Sequence, residues 1–340
     1  MRVVLLTHDP ALADEVARLA AAGGVQPDVL SYDDALTAWP TAALVLVGAD
    51  LAEALSGLAP ARREEVHVVA LGHQGDGVFR AAMGLGAQSV AELPGAEAWL
   101  VELLTDVGER PLRGLTLGVL GGAGGAGAST LACALAQIAA ESGPALLMDA
   151  DPLGAGLDRM LGMELLDGAR WTDLASSPGR LSARALRESV PRAGQLGVLG
   201  WGADPPAGLE AATARHVLAA AARGHEAVVL DLGRVATPLT TDLASRCEAL
   251  VVVAPASVVG LASTCRVLGS LGGLADRCAV VLRHGSVVAE EVEVMTGRPV
   301  LAVVREQRGL SEALDLGMGP VRSRRSVLGR VAHEVLGSFA

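Results

Sequence analysis

The chain has 340 residues with a formal net charge of −11, and 51% of them are hydrophobic but only 2% aromatic. That length sets two domains as the expectation, and a composition rich in Ala, Val, Leu and Gly points to helices packed tightly on buried parallel strands. The acidic balance works against broad attraction to DNA or anionic lipid, and two Phe with one Tyr leave little to stack on bases.

The N-terminus enters a strand pattern directly, with no basic region, apolar stretch and cleavage site in sequence, so a cytoplasmic protein is inferred. Residues 1–105 alternate apolar runs with helical patterns: Val3 to Leu6, a helix around Ala11 to Ala21, Ala43 to Val47, then Val66 to Leu71. Strands alternating with helices predict a parallel α/β sheet. The stretch Gly86 to Pro94 resembles the closing strand of a response-regulator receiver domain. That resemblance implies a phosphoacceptor Asp ending the third strand, a Thr or Ser ending the fourth and a Lys before the Pro of the fifth. Gly48, Gly72 and Leu93 stand there instead, while Asp9 remains near the acidic pocket and Asp50 lies two places late. The reading is a pseudo-receiver that docks partners without accepting a phosphoryl group.

Residues 106–114 are polar with Pro and Gly and read as a linker, leaving 115–340 as the second domain. It opens with a strand-like run from Leu115 to Leu120, a glycine cluster from Gly121 to Gly127, and an Ala-rich helix through Leu131 to Ala140. No charge occurs between Arg113 and Glu141, which raises a membrane span, but glycine costs ~1 kcal/mol per residue in a helix relative to Ala. Strand, loop and helix explain the stretch better. Gly122 to Ser129 fits G-x-x-x-x-G-K-[ST] with Ala128 at the lysine. Such a loop turns backbone N–H groups onto an anion at a helix N-terminus. Gly122, Gly124, Gly125, Gly127, Ala128, Ser129 and Thr130 are the candidate nucleotide-binding residues.

The next strand ends Met148-Asp149-Ala150-Asp151, and i, i+2 side chains in a strand share a face at the end where α/β folds bind ligands. A long helix pattern from Ala211 to Arg223 precedes Val228-Val229-Leu230-Asp231, the hydrophobic run closed by Asp of a Walker B strand. Asp231 could also cap the following helix. Ser129, Asp149 and Asp231 are the candidate Mg²⁺ residues. Further strands are expected near Ala145 to Met148, Gly197 to Gly200, Ala249 to Val253, Ala279 to Leu282 and Val300 to Val304.

Glycine loop, D-x-D, Walker B Asp and the strand from Leu250 to Pro255 resemble the MinD/ParA superfamily of deviant Walker A ATPases. With a receiver-like domain in front, the chain is most similar to the CpaE/TadZ branch, which includes actinobacterial septum-site-determining Ssd proteins. The fold class this implies is α/β, a flavodoxin-like parallel sheet followed by a larger doubly wound P-loop NTPase domain. The resemblance places the signature lysine at Ala123, the phosphate-binding lysine at Ala128, and the adenine-reading Asn at Arg283; all three are replaced. It implies weak ATP or ADP binding with Mg²⁺, Asp151 positioning water if turnover occurs, and a nucleotide-dependent homodimer. Partners would be proteins of a Tad pilus, secretion or division machinery at the pole or septum, with no nucleic acid.

Two other readings stay open. Gly122-x-Gly124-x-x-Gly127 with Asp149 about 22 residues beyond also matches the dinucleotide fingerprint of NAD oxidoreductases. A nucleotide-free scaffold fits the missing lysines and the disabled receiver. Cys133, Cys247, Cys265 and Cys278 lack C-x-x-C spacing and are expected as buried free thiols, with neither zinc nor disulfide indicated. His67, His216 and His284 have no ligand-like companions. At the C-terminus a basic cluster from Arg322 to Arg325 precedes Val327, Leu328, Val331, Val335 and Leu336 at helical spacing, expected to cover the sheet; a peripheral membrane helix is the alternative.

Overall fold

The computed structural model describes every residue except 1, 64, 109–113, 155, 177–180, 203–208, 235–236 and 340, and, of these, every side chain except those of residues 33, 36 and 176. The chain divides into two compact units, residues 1–111 and 112–340. The first runs β1 (Val3–Leu6), α1 (Pro10–Ala22), β2 (Asp28–Leu30), α2 (Tyr32–Ala38), β3 (Leu44–Gly48), α3 (Ala49–Gly57), β4 (Val66–Leu71), α4 (Asp76–Leu85), β5 (Ser89–Leu93) and α5 (Glu97–Gly108). Its sheet is parallel, in the order β2-β1-β3-β4-β5.

That order is the flavodoxin-like arrangement, and its double burial explains the unbroken apolar strands. Val3, Leu5, Leu44 and Leu46 pack with Leu12 and Val16 of α1 and Leu100, Leu103 and Leu104 of α5. The alternate positions, Val4, Leu6, Val45 and Val47, face Ala38 of α2, Leu55 of α3 and Leu85 of α4. The domain boundary expected at residue 105 falls inside α5, which continues to Gly108 because Leu103, Leu104 and Val107 are buried along it. The rest of the expected linker, 109–113, lies outside the described residues, and Leu115 N–H already donates to Glu226 O.

The second unit continues with β6 (Leu115–Gly121), α6 (Ala128–Ala139), β7 (Ala145–Asp149), α7 (Leu157–Met160), α8 (Trp171–Ser176), α9 (Ala183–Ser189), β8 (Arg192–Ala193) and β9 (Leu196–Leu199). Then follow α10 (Ala211–Gly224), β10 (Ala227–Asp231), α11 (Pro238–Ser245), β11 (Ala249–Pro255), α12 (Val258–Ser270), β12 (Cys278–Arg283), α13 (Ala289–Thr296), β13 (Val300–Val304), α14 (Leu310–Asp315) and α15 (Val327–Gly337). The eight strands form one sheet, β13-β12-β11-β6-β10-β7-β9-β8, parallel except for the terminal β8. β6 therefore sits centrally, with β11 on one side and β10 on the other.

Leu117, Val119, Leu147, Val229 and Val251 form one face with α6 and α15. Leu146, Met148, Val228, Leu230 and Val252 form the other with residues of α10 and α11, Val217, Leu218 and Leu243 among them. The apolar side of the C-terminal helix is thus taken up by the core: Leu328, Val331, Ala332 and Val335 are buried. Cys133, Cys247 and Cys278 are buried free thiols, whereas Cys265 on α12 is half-buried, a departure from the expectation. Among the described residues no helix is long and apolar enough to cross a membrane.

Gly118 of β6 is tightly enclosed by neighbouring side chains. A Cβ there would lie 2.6 Å from Leu250 Cδ2, 2.7 Å from Leu232 Cδ1 and 3.1 Å from Cys247 Sγ. Gly118→Ala overpacks this core, at a cost of about 1–3 kcal/mol. The expected outcome is a thermal midpoint lower by roughly 2–12 °C; an unchanged melting curve would mean that β6 is less tightly held than this geometry requires.

Candidate functional site

The glycine loop spans the gap between β6 and α6 and is tied to both neighbouring strands. Gly121 N–H donates to Gly233 O (3.2 Å) beyond β10, and Gly122 N–H to Val253 O (2.9 Å) in β11. A side chain at 122 would collide with α12, since a Cβ would lie 2.3 Å from Thr264 Oγ1. Gly125 (φ +68°) and Gly127 (φ +98°) take left-handed backbone, which lets the chain turn into the helix without strain. Ala126 N–H closes the turn onto Ala123 O. The N–H groups of Gly124, Gly125, Gly127, Ala128 and Ser129 have no acceptor among the described residues. They are the orphan donors of a helix start, where the dipole favours an anion.

Below the loop lie the acids. Asp149 ends β7 and Asp231 ends β10, and the two are direct partners in the parallel register. Ser129, in the first turn of α6, places its hydroxyl beside the Asp231 carboxylate, where it favours the charged form. Asp149 accepts from Asp151 N–H (3.1 Å), and the Leu157 backbone lies close enough to favour its charged form. Burial raises its pKa to about 7, helped by the Asp231 charge; Asp231 is raised by burial as well. Cys133, one turn after Ser129, is pushed well up by burial and by the same two carboxylates.

Asp151 does not pair with Asp149 through strand alternation as the D-x-D spacing predicts. β7 stops at Asp149, and Asp151 sits in the following turn, with Oδ1 accepting from Leu153 N–H. Its other oxygen lies beside Gly233, 2.9 Å from where a Cβ would stand. The arrangement thus brings together Ser129, Asp149 and Asp231, with Asp151 alongside at the end of β10. Among the described residues no three His, Cys, Asp or Glu side chains form a metal cage. A Mg²⁺ ion that keeps waters and phosphate oxygens needs no such cage, so a hydroxyl and one or two carboxylates are a fitting donor set.

Two guanidinium groups flank the loop. Arg283, where the resemblance expects the adenine-reading Asn, extends from the end of β12 and donates Nη1–H to Gly125 O at 3.0 Å. Arg234, three residues past Asp231, brings Nη1 to 3.7 Å from the Cβ position of Gly124. The sequence signal for both is thin: each is an arginine at or just past the end of a buried strand, and only strand order reveals that β10 adjoins β6 and that β12 lies one strand further, beyond β11.

In the first unit, Gly48 ends β3, Gly72 follows β4 and Leu93 ends β5 before Pro94. Asp9 caps α1, with Oδ1 accepting from Ala11 N–H (2.9 Å) and Leu12 N–H (3.4 Å). Asp50 folds back over Gly48: Oδ1 accepts from Thr7 Oγ1 (2.9 Å) and Oδ2 from His8 N–H (2.7 Å). A Cβ at Gly48 would stand 2.2 Å from Asp50 Oδ1. Both remaining acids of the pocket are therefore engaged in holding the β1–α1 turn.

Solved structures share the architecture of the second unit. A ParA family ATPase from Chlorobium tepidum TLS superposes with a TM-score of 0.58 at 18% identity, covering 66% of this chain and 98% of that one. The septum site-determining protein MinD complexed with Mg-ADP from Pyrococcus horikoshii OT3 gives 0.56 at 17% identity, covering 66% and 95%. A chain of the MinC:MinD cell division protein complex of Aquifex aeolicus gives 0.55 at 17%, covering 66% and 96%. At those identities the likeness is one of fold, and the second unit has the MinD/ParA-type P-loop fold.

Residues 6–114 match the family described as Rv3660c-like, CheY-like N-terminal domain. The whole chain is 36% identical over 338 residues to the uncharacterized protein Rv3660c of Mycobacterium tuberculosis (strain ATCC 25618 / H37Rv), across 97% of this chain and 95% of that protein. The chain belongs to the Rv3660c-like family, with a CheY-like domain ahead of a MinD/ParA-type one.

Two outcomes follow from these sites. With Gly48 at the end of β3 and Asp9 and Asp50 already bonded, acetyl phosphate should leave no aspartyl phosphate on residues 1–105; stoichiometric mass addition mapped to Asp9 or Asp50 would overturn that. The second outcome concerns Asp149, whose pKa rises from its usual 3.8 to about 7 on folding. Between those values the folded state holds a proton that the unfolded chain has released, so stability falls as pH rises toward about 7. The penalty is complete above that pH and relieved on acidification. In EDTA, Asp149→Asn should raise the melting temperature at about pH 8 and gain less at about pH 5; a gain that does not depend on pH would refute the shift.

Proposed function

We propose that this chain is a spatial organiser of a septum, pilus or secretion machinery, similar to CpaE, TadZ and Ssd proteins. Its second unit binds Mg-ATP or Mg-ADP weakly at residues 122–130 and hydrolyses it slowly or not at all. The carrying observation is the loop itself: N–H groups of Gly124, Gly125, Gly127, Ala128 and Ser129 without an acceptor among the described residues, Ser129 beside the Asp231 carboxylate beneath them, and Ala at 123 and 128. The cradle is kept and its lysines are replaced.

A charge-assisted hydrogen bond contributes ~1.5–3 kcal/mol, so replacing the phosphate lysine weakens binding by roughly one to two powers of ten. Turnover suffers more, because a cation on the transferred phosphoryl group can be worth ~10³–10⁵ in rate. A nucleotide switch that responds to occupancy more than to hydrolysis is the consequence. The Mg-ADP complex of the Pyrococcus MinD and the MinC partner of the Aquifex MinD support nucleotide and protein partners in this fold. In this reading Ser129, Asp149 and Asp231 serve Mg²⁺, Asp151 would position water, and the first unit docks partner proteins. Recruitment to the pole or septum follows from those partners.

The NAD alternative needs a ribose-binding acid at Asp149. That residue is 1% exposed, and its carboxylate accepts the backbone N–H of Asp151. A buried carboxyl already bonded to its own turn is poorly placed to reach a ribose hydroxyl.

Calorimetry of the full chain with Mg-ATP, repeated in EDTA, tests the proposal, and the expected result is weak binding that depends on Mg²⁺, without steady hydrolysis. Ala128→Lys should tighten ATP by roughly tenfold or more, because the new ammonium joins a preformed cradle. Rapid turnover in the native chain would refute the switch reading. A folded Ala128→Lys variant with unchanged affinity, beside a native chain that binds no nucleotide, would favour a nucleotide-free scaffold.

A further inference from the structure

The segment from Gly114 to Ala140 contains no charged residue, yet its exposed turn at Gly124 and Gly125 is flanked by cations from elsewhere in the fold. Arg283 arrives from β12, two strands from β6 on the β11 side. Its register partner in β11 is Pro255, two residues past Val253, which pairs with Gly121. The side chain crosses β11 at the carboxyl end of the sheet to reach Gly125 O. Arg234 comes from the opposite flank, past the end of β10, and reaches the Gly124 side. Both side chains are exposed, and neither has a carboxylate within ion-pair distance among the described residues.

We propose that Arg283 and Arg234 together supply the positive charge for phosphate oxygens held by the 122–130 loop, in place of lysines within it. The proposal rests on the nucleotide reading above and names the residues that make a lysine-free loop able to hold a polyphosphate. Arginine suits the task because its planar fork presents several N–H groups and matches phosphate oxygens two at a time. Arg283 spends one nitrogen on the Gly125 carbonyl, which leaves Nε and Nη2 to donate. The contact also fixes the guanidinium beside the unpaired N–H groups of the loop, so little side-chain freedom remains to be lost when an anion arrives. Arg234 makes no hydrogen bond among the described residues and so has its whole fork available. The two groups enter from either side of β6, which would clamp a phosphate chain lying across the loop between them.

The test is calorimetry of the full chain with Mg-ATP and, separately, with inorganic tripolyphosphate, using native protein, Arg283→Gln, Arg234→Gln and the double variant. Each single change should weaken both ligands by about tenfold, and the double variant more. Arg283→Lys keeps the charge without the fork and should fall between native and Arg283→Gln. Melting curves without ligand guard against loop collapse. Arg234→Gln removes no structural hydrogen bond and remains informative even if Arg283→Gln disturbs Gly125. If native protein binds and the double variant binds within about twofold, the arginine assignment is wrong while the nucleotide reading stands. If native protein binds neither ATP nor tripolyphosphate, the nucleotide reading and the arginine assignment both fail.

Discussion

Everything proposed for the second unit depends on two backbone hydrogen bonds, from Gly121 to a carbonyl just past β10 and from Gly122 to one within β11. They hold the end of β6 level with β10 and β11, so the loop must leave the sheet as a tight turn and enter α6 immediately. The turn in turn requires glycine where φ is positive, at 125 and 127, and forbids a side chain at 122 against Thr264. Because β6 is central, whatever follows it is within reach of groups ending both neighbours. Asp231 and Arg234 come from one side, and Arg283 crosses from the other.

Charge is layered at this end of the sheet. The carboxylates lie underneath, with Asp149 and Asp231 side by side and almost wholly buried. The guanidinium groups lie above, exposed at the loop. Two adjacent buried carboxylates resist simultaneous ionisation, and burial raises both, as the upward shift of Asp149 to about 7 reflects. An arriving cation would reverse that preference and favour the charged pair. The site therefore holds its acids and its bases apart, separated by a ribbon of backbone N–H groups.

Much of this fold was legible because parallel strands buried on both faces must be continuous apolar runs: Val66 to Leu71 is a strand over the range its residues suggest. β2 was not legible, since Asp28 to Leu30 is a three-residue edge strand with exposed Asp28 and Val29. The expected end of the first domain at 105 stops short of the end of α5 for a related reason. Thr105 and Asp106 look like linker residues, but Asp106 is buried and the helix runs on to bury Val107. In the site, the glycine loop and its Ser were readable from spacing, which fixes local geometry. The partnership of Asp149 with Asp231 was not, because it depends on β7 and β10 being neighbours with matched register. Arg283 registered only as the replacement of an Asn. Its contact with Gly125 joins residues 158 positions apart and follows from sheet order alone.

The fold-back of Asp50 in the first unit bears on how such a domain can change over time. In a pocket that had merely lost its acid, one substitution could restore it. Here the space beside Gly48 is occupied by the Asp50 carboxylate, itself bonded to Thr7 and to the His8 backbone. An aspartate introduced at 48 alone would meet a like charge at contact distance, and removing Asp50 alone would release the turn that leads into α1. Neither single change is neutral, so position 48 and the Asp50 carboxylate are coupled, and the contact that fills the space beside Gly48 is also part of what holds the domain's shape.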